Sequence, residues 1–326
     1  MWAEAKAREG WKCSRTLFLS DSRIVGGWQL LWKSRFGLRV GYISRGPVIH
    51  SPDPSAANLL ASRFSSLIRH QWISAVIVQS PVAAPDLAAR FSQPPLMPYP
   101  GRGVITSTMV VDVSGGLAEV ESGIRRRKLQ EVRQALKRGV SVVEGSAKDL
   151  PAFFDLMLHT CERQETKPSP ASLASLTALW KAFHPRGQIR LALAVHSAQP
   201  IAGWLSIGFG KKVTFFKTGW LSAAPGLHPI SLLIHDGFAW AARNGFENCD
   251  FAGLDGKIAD LLARGFPLSE SERCSRDYYK TGFGGTPIFL PMPQLFVANP
   301  VGRFLLASTL RWRTMPRRSE LCAARV

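Results

Sequence analysis

Short apolar runs typical of strands alternate along the chain with longer amphipathic stretches typical of helices, and one order of elements occurs twice. The first half predicts strands at 16–19, 24–32 and 38–43, a helix near 56–70 and a strand at 73–78. The second half predicts strands at 189–195, 201–209 and 213–220, a helix near 229–243 and a strand at 247–251. The repeated order predicts an α/β protein of two domains with a similar plan.

The segment between the two halves contains a strand at 109–113 and a stretch that predicts one amphipathic helix. Two sets of apolar residues at i+3 and i+4 steps form its buried stripe: Leu117, Val120 and Ile124, then Leu129, Val132 and Leu136. Its other face is basic, with Arg125, Arg126, Arg127, Lys128, Arg133, Lys137 and Arg138. We place the domain boundary after this helix, so that the first domain covers 1–140 and the second covers 141–291.

The composition fits an ordered globular protein with an unusual positive charge. Of its 326 residues 46% are hydrophobic, and ten tryptophans are available to fill two cores. The 41 Lys and Arg against 23 Asp and Glu give a formal net charge of +18. Such a charge favours a polyanionic partner: nucleic acid, an anionic membrane face or a diphosphate-bearing substrate. A solubility surplus spread over the surface explains the same charge without any partner.

Several common site chemistries are absent from the sequence. The five cysteines include no Cys-x-x-Cys pair and the seven histidines form no His-Glu-x-x-His helix, so we predict no disulfide framework and no metal site. No Gly-x-Ser-x-Gly elbow is present for a serine nucleophile. The stretch Gly203–Lys212 departs from a phosphate-binding loop, because Lys212 stands where Ser or Thr is required. We therefore predict no cofactor.

The sequence contains no membrane-spanning pattern. No run of about 18 uncharged apolar residues occurs. The charged residues Glu4, Lys6, Arg8 and Glu9 exclude the apolar core of a signal peptide. We expect a cytoplasmic protein, with a peripheral position at the inner face of the membrane as the alternative.

Three short patterns carry the candidate chemistry. Near the end, Tyr279 and Lys280 stand just before a glycine-rich turn with Gly282, Gly284 and Gly285. Glycines permit backbone geometry that is closed to other residues, so a ligand could approach closely while Lys280 presents its ammonium. A hairpin with a solvated lysine explains the same pattern without any ligand. The other two patterns are Gly41-Tyr-Ile-Ser-Arg-Gly-Pro-Val48 and Trp2-x-x-x-Lys6-x-x-x-Gly10-Trp11.

Together these patterns resemble the FemABX family of aminoacyltransferases. Its members carry a Tyr-Ile-Pro-Arg-Gly-Pro-Val strand early and a Phe-Lys-x-x-Phe-Gly-Gly element late; here Ser44 replaces the proline and Tyr279 replaces the first phenylalanine. The resemblance implies two tandem domains of the GNAT acyltransferase fold, with mixed, mostly antiparallel sheets and flanking helices. It also implies that the tail 292–326 completes the first domain. Since the family has a strand before its first helix, we expect that strand to be missing here or to lie upstream of Met1.

The resemblance also implies a donor side and an acceptor side. Lys280 and Tyr279 would contact the terminal adenosine and ester of an aminoacyl-tRNA, and Lys280 would stabilise the charge that develops on the carbonyl oxygen. In the other domain's half of the cleft, Lys6 and Arg45 would pair with phosphates of a nucleotide- or lipid-linked peptidoglycan precursor. An exposed structural role remains the alternative for both cations.

Asp112, at the end of the strand 109–113, is the candidate proton acceptor or contact for the attacking amine. An Asp before Val-Ser-Gly-Gly is also typical of a residue that closes a turn or caps a helix. The sequence leaves both roles open. It marks no other residue as a general base, which fits a reaction of an activated ester that needs mainly orientation and charge stabilisation.

Two other functions stay open at this point. An acyl-CoA N-acyltransferase would hold pyrophosphate at the start of the helix near 229–243, but the preceding segment 222–229 lacks the Gln/Arg-x-x-Gly-x-Gly/Ala pattern of CoA-binding relatives. A non-catalytic RNA- or membrane-binding protein would use the basic helix face, which is either a phosphate-binding surface or merely solvated. The amphipathic, arginine-rich tail 303–318 either packs on the first domain or lies on an anionic membrane.

Overall fold

The computed structural model describes residues 1–20, 22–50, 54–99, 103–222, 226–275 and 277–299. The chain forms two compact units, which we call the large and the small unit. The large unit combines Met1–Gly10 with Ile105–Leu290, and the small unit combines Trp11–Val104 with the residues from Pro291 onward. The arginine-rich tail 303–318 lies outside the described residues.

The described elements follow one another in this order along the chain. The helices are α1 (Trp2–Ala7), α2 (Pro54–His70), α3 (Pro85–Phe91), α4 (Leu117–Gly123), α5 (Arg126–Lys137), α6 (Leu150–Arg163), α7 (Leu173–Phe183), α8 (Pro229–Arg243), α9 (Gly256–Ala263) and α10 (Glu270–Arg273). The strands are β1 (Lys12–Ser20), β2 (Arg23–Arg35), β3 (Leu38–Ser44), β4 (Val48–Ile49), β5 (Ala75–Gln79), β6 (Met97–Pro98), β7 (Ser107–Asp112), β8 (Ser141–Gly145), β9 (Ile189–His196), β10 (Gln199–Phe209), β11 (Lys212–Trp220), β12 (Asn248–Asp250), β13 (Thr286–Phe289) and β14 (Gln294–Val297). A 3₁₀ helix covers Tyr278–Phe283.

The small unit is a mixed sheet with its core on one face. Its strand order is β1-β2-β3-β5-β14-β6, with β4 paired to β2. Phe64 of α2 is the centre of the core, and its ring lies 5.5 Å from Trp28, 5.1 Å from Phe91 and 5.6 Å from Phe296 between ring centroids. Edge-to-face packing of this kind stabilises a core beyond the burial of apolar area. The late strand β14 thus completes a sheet formed mainly by the first hundred residues.

The large unit is a second mixed sheet, with helices on both faces. Its strand order is β13-β7-β12-β11-β10-β9-β8. On one face α8 packs over a cluster that includes Phe215, Phe238 and Phe251. On the other face α6 and α7 bury a second cluster around Phe153 and Leu205. The β-strands between the two clusters are buried on both sides, and β9 accordingly has a nearly continuous apolar sequence.

The repeated order of elements and the predicted α/β class are confirmed. In the small unit β1, β2 and β3 are antiparallel, α2 follows, and β5 pairs in parallel with β3. In the large unit β9, β10 and β11 are antiparallel, α8 follows, and β12 pairs in parallel with β11. Apolar periodicity predicted these elements because most of them bury a continuous face.

The units divide the chain differently from the predicted boundary at 140/141. Residues 105–140 belong to the large unit because β7 pairs with both β12 and β13. Met1–Gly10 also belongs to the large unit, since the Trp2 ring of α1 lies 6.4 Å from Phe183 and 5.9 Å from Phe216 between centroids. Lys6 is therefore in the same unit as Lys280, and its expected place in the other domain is wrong.

The single helix predicted for the connecting segment is two helices, α4 and α5. The chain is extended at Ile124 and Arg125, with ψ angles of 133° and 135°. The Arg125 N–H donates to the Gly282 carbonyl at 2.9 Å instead of continuing a helix. Leu136, expected in the buried stripe, is 56% exposed. A tertiary hydrogen bond has overridden the local helical periodicity here.

Candidate functional site

The basic start of α5 lies against the 3₁₀ helix 278–283. The Arg125 guanidinium donates to the Tyr278 hydroxyl at 3.1 Å and lies 5.5 Å from the centre of that ring. The Lys128 ammonium lies 5.7 Å from the Phe283 ring centre. Two features that are separate in the sequence, the basic helix and the Tyr-Lys pattern, therefore form one surface of the large unit.

The glycines of the turn bring the chain against its own backbone. A Cβ atom on Gly284 would lie 2.8 Å from the Gly123 carbonyl oxygen, and one on Gly285 would lie 2.5 Å from the Val110 carbonyl oxygen. Both glycines have positive φ angles, +76° and +91°, that other residues rarely adopt. The turn was expected to let a ligand approach closely, but the space beside these two glycines is occupied by α4 and β7.

Lys280 is fixed by two partners and is only 12% exposed. Its ammonium lies 2.7 Å from the Asp277 carboxylate and donates to the Gly253 carbonyl at 2.5 Å. The alternative interpretation from the sequence, a hairpin with a solvated lysine, is therefore wrong. An ammonium has three N–H donors, so one remains without a partner among the described residues. A lysine held in this way presents its charge at a defined point.

The loop that binds Lys280 starts where two strands of the sheet separate. Strands β11 and β12 pair only from Lys212 to Thr214, and β12 ends opposite Thr214 at Asp250. The buried Asp250 carboxylate accepts from the Thr108 hydroxyl at 2.6 Å and from the Ala252 N–H at 2.8 Å. These bonds hold the loop that carries the Gly253 carbonyl. Beyond Thr214, β11 has no β12 partner.

Tyr279, the neighbour of Lys280, is partly buried against the core of the large unit. Its ring is thus anchored at one side, as a stacking platform for a base requires. Arg276, at the start of the same pattern, lies outside the described residues.

Asp112 closes a turn at the end of β7. Its Oδ1 atom accepts from the Ser114 N–H at 2.8 Å and from the Ser114 hydroxyl at 2.6 Å. The hydroxyl and the N–H of Ser114 hold the pKa of Asp112 below its usual value. A carboxylate with a lowered pKa is a weaker proton acceptor, so this geometry favours the turn role over general-base catalysis.

Lys6 belongs to a group of two lysines and two aromatic rings. Its ammonium pairs with Glu9 at 2.8 Å and lies 5.2 Å from the Trp2 ring centre. The Lys217 ammonium lies 4.7 Å from the ring centre of Phe216, which itself contacts Trp2. Burial, and then the Lys6 ammonium, lower the pKa of Lys217. Sequence reasoning missed Lys217, although a lysine in the apolar strand Val213–Trp220 was a visible signal.

Arg45 lies in the small unit, between β3 and β4, and is exposed. Its backbone is left-handed, with φ of +51°. The following Gly46 N–H donates to the Gln79 carbonyl at 2.9 Å, which fixes the turn to the end of β5. Of the predicted site residues, Lys280, Tyr279, Asp112 and Lys6 are thus in the large unit and Arg45 is in the small unit.

The start of α8, where a CoA pyrophosphate was considered, faces a carboxylate. Glu131 of α5 accepts from the Ser231 hydroxyl in the first turn of α8 at 2.6 Å. Burial raises the pKa of Glu131, but the Lys128 ammonium and the Ser231 hydroxyl outweigh it and hold the pKa below its usual value. The Arg138 guanidinium donates to the Gly226 carbonyl just before the same helix. Because Glu131 already accepts from the Ser231 hydroxyl, an anion at this helix start would have to displace that bond.

The described part of the chain offers neither a metal site nor a membrane-spanning helix. Within those residues, no group of three or more His, Cys, Asp or Glu side chains is arranged to hold a metal ion. No described helix is both long enough and apolar enough to cross a membrane.

Comparison with known proteins defines the class of this fold. Residues 123–259 match the family described as acetyltransferase (GNAT) domain. The crystal structure of FemX superimposes with a TM-score of 0.77 at 18% identity, covering 93% of this chain and 92% of that one. A tandem GNAT protein from the clavulanic acid biosynthesis pathway gives a TM-score of 0.55 at 11% identity, covering 91% and 87%. The chain therefore has the tandem GNAT fold that its motifs implied.

Curated proteins of similar sequence make the resemblance more specific. A lipid II:glycine glycyltransferase of Staphylococcus saprophyticus is 26% identical over 212 residues, which is 61% of this chain and 51% of that protein. A protein of the same name from Staphylococcus aureus is 26% identical over 174 residues, covering 50% and 41%. The chain spans about half the length of the curated relatives it matches. With the FemX likeness, these relatives confirm the resemblance to the Fem family.

Proposed function

We propose that this chain is an aminoacyltransferase that moves an amino acid from an aminoacyl-tRNA to an amine of a peptidoglycan precursor peptide. The observation that carries the donor assignment is the contact of α5 with the 3₁₀ helix 278–283, through the Arg125 bonds to Tyr278 and Gly282. It joins a row of exposed cations to the segment with Tyr279 and Lys280. The acceptor assignment rests on the glycyltransferase relatives, whose name includes lipid II.

The proposed chemistry requires few protein groups. The acceptor amine attacks the ester carbonyl, negative charge develops on the carbonyl oxygen, and the ester C–O bond then breaks. The amine loses one proton and the departing ribose oxygen gains one, so the step balances within the substrates. The Lys280 ammonium stabilises the carbonyl oxygen as its charge develops, and the Tyr279 ring packs on the terminal nucleotide. We assign Asp112 no step, because Ser114 holds it.

The acceptor's phosphates are the proposed ligands of Lys6 and Arg45. Arginine binds phosphate by its planar fork and lysine acts as a point charge. For Lys6 the phosphate has to compete with Glu9, which already pairs with the ammonium. We therefore expect Arg45→Ala to raise the acceptor's apparent KM more than Lys6→Ala does.

The second candidate is an acyl-CoA N-acyltransferase, which the GNAT match over 123–259 favours. Against it stands the Glu131 carboxylate bonded to the first turn of α8, where a pyrophosphate would otherwise lie. An aminoacyl-tRNA donor does not need that helix start for an anion. The two candidate functions therefore differ in their acyl donor, and identifying the donor distinguishes them.

The donor is tested by titrating the purified protein with a radiolabelled aminoacyl-tRNA pool and, separately, with acetyl-CoA. Saturable tRNA binding that weakens in Arg126→Gln and is unchanged in Arg186→Gln supports the proposal, since both arginines are exposed and only Arg126 is on α5. Saturable acetyl-CoA binding, with tRNA binding insensitive to both variants, would favour the acyl-CoA enzyme. Binding of tRNA without any acyl transfer would indicate a non-catalytic RNA-binding protein.

A further inference from the structure

A cluster of large apolar side chains is exposed on the sheet of the small unit. In one row across the sheet, Leu17 of β1 and Val48 of β4 lie on either side of Gly27 of β2. Two residues further along β1, past a register shift between Phe18 and Leu19, Leu19 pairs with Ile24 close to the β1–β2 turn. Leu17, Leu19, Ile24 and Val48 are 58%, 59%, 53% and 57% exposed. We call these four residues the hairpin patch.

The hairpin patch is on the face of the sheet opposite to the core. Successive residues of a strand point to opposite faces, and Phe18, between Leu17 and Leu19, packs on Trp28 at 5.2 Å between ring centroids. In a sheet with one face in solvent, polar residues on that face normally alternate along each strand with apolar residues on the core face. Single exposed apolar residues need no explanation, but four adjacent ones indicate an interaction surface.

Positive charge lies beside the hairpin patch. Arg15 is two residues from Leu17 on the same face of β1, and Arg23 is next to Ile24 at the start of β2, on the opposite face by strand alternation; both are exposed. Residues 11–104 and 291–326 of the small unit contain 17 Lys and Arg but 4 Asp and Glu, so they carry +13 (17 − 4) of the chain's net +18. Of these, the described residues of the small unit contain 10 Lys and Arg against one acidic residue, Asp86. A binding partner that complements this surface is therefore negatively charged.

We propose that the hairpin patch docks on the surface of an anionic lipid bilayer. Apolar side chains beside arginines match the boundary of a bilayer, where apolar groups enter the acyl region and guanidinium groups meet the phosphates. A nucleic acid would use the arginines and leave the four apolar side chains in water, so it fits the patch less well. Each basic residue near an anionic leaflet adds to the attraction, which salt screens. Docking requires neither a donor nor an acceptor substrate, so it is independent of the proposed acyl transfer.

The test is co-sedimentation of the full chain with vesicles in the absence of tRNA and of any precursor. Vesicles of phosphatidylglycerol and phosphatidylethanolamine are compared with vesicles of phosphatidylcholine alone. The variant Leu17→Glu is matched by Phe266→Glu, which places the same charge on a phenylalanine of the large unit that is 55% exposed. We expect binding to the anionic vesicles only, weakened about tenfold or more by Leu17→Glu and little changed by Phe266→Glu.

A second pair of variants separates the apolar contribution from the charge. Arg15→Gln should weaken binding to anionic vesicles at low salt, whereas Arg186→Gln of the large unit should not. Equal loss in Leu17→Glu and Phe266→Glu would overturn the proposal, because the vesicles would then respond to net charge alone. So would a dimer of the wild type that Leu17→Glu converts to a monomer without a change in vesicle binding, since the outer strand β1 would then pair two copies. Thermal melts of all four variants exclude unfolding as the cause.

Discussion

At the scale of single residues, the structure keeps the predicted lysines as candidates but gives them partners that the sequence did not predict. Lys280 is held between Asp277 and the Gly253 carbonyl. That fixation is what positioning a charge at a developing oxyanion requires, because a preorganised donor does not have to reorganise during the reaction. It also means that removing Lys280 has a structural consequence, which a test of catalysis has to separate.

A pair of variants makes that separation. Lys280→Met leaves the mostly buried Asp277 carboxylate without its ion pair, so we expect lower stability together with a roughly 100- to 1,000-fold lower kcat. In the double variant Asp277→Asn/Lys280→Met the unpaired charge is absent, so stability should recover in large part while kcat stays low. Thermal melts and turnover with saturating substrates measure the two quantities. If turnover recovers together with stability, Lys280 has only a structural role.

Lys217 predicts a dependence of stability on pH. Because its pKa is lowered in the folded protein, the unfolded chain binds more protons at this site in the window between the lowered and the usual pKa. Wild-type stability therefore gains from this residue as the pH rises through that window. Lys217→Met should raise Tm at neutral pH, and its advantage should shrink as the pH rises. The control Lys211→Met changes a lysine that is 69% exposed and should give a curve parallel to the wild type; a parallel curve for Lys217→Met as well would contradict the argument.

At the scale of elements, periodicity predicted strands and helices that bury a continuous face, and tertiary contacts decided the rest. Strands β9 to β11 and helix α8 lie within a residue or two of their predicted bounds. The break between α4 and α5 depends on the bond from the Arg125 N–H to the Gly282 carbonyl, which is 157 residues away in sequence. No local pattern contains that information. The rare Tyr-Lys-Gly pattern located the candidate site, but its partners Asp277 and Gly253 could be found only in the fold.

The turn after the 3₁₀ helix should tolerate no side chain at Gly285. Gly285→Ala places a Cβ at 2.5 Å from the Val110 carbonyl oxygen and adds strain at φ of +91°. We expect a loss of about 3 kcal/mol or more in the free energy of unfolding. Gly210→Ala, at φ of +56° with open space around its Cβ, should lose only about 1–2 kcal/mol. Denaturant titration measures both, and equal losses would show that the close approach to β7 is not what constrains Gly285.

The junction of α9 and α10 predicts a loss of stability in acid. The Lys257 ammonium, 2.6 Å from Glu272, and then the Ser269 hydroxyl lower the pKa of Glu272 to about 2. A carboxylate with a lowered pKa contributes stability above its usual pKa of 4.5, and that contribution is lost as the pH falls towards 2. Glu272→Gln should therefore lower Tm at neutral pH, and its difference from the wild type should vanish in acid. Glu270→Gln in the same helix is the control, and a difference for Glu272→Gln that persists in acid would refute the assignment.

At the scale of the whole molecule, charge is divided unequally between the two units. The net charge of +18 was visible in the sequence, but its uneven division was not, because the boundary at 140/141 proved to lie inside the large unit. That boundary depends on the pairing of β7 with β12 and β13, which are distant in sequence. The small unit carries most of the positive charge, whereas the basic face of α5 belongs to the large unit.

This division predicts that tRNA affinity follows the location of a charge and not the net charge. Arg133→Gln on α5 and Arg63→Gln on α2 each remove one exposed cation, from the large and the small unit respectively. If Arg133 contacts a phosphate, its loss should reduce the slope of log affinity against log salt by about 1, and Arg63→Gln should leave the slope unchanged. Filter binding over a range of salt concentrations measures the slopes. Equal changes in both variants would mean that tRNA binds without using α5.

The most direct test of the proposed activity is the mass of the acceptor after reaction. The purified chain is incubated with a lipid-linked peptidoglycan precursor and a charged tRNA pool, and parallel reactions contain acetyl-CoA in place of the tRNA. We predict a precursor heavier by one amino-acid residue, formed only with charged tRNA, together with an equal amount of deacylated tRNA. A precursor heavier by one acetyl group, formed only with acetyl-CoA, would contradict the account and identify the chain as an acyl-CoA enzyme.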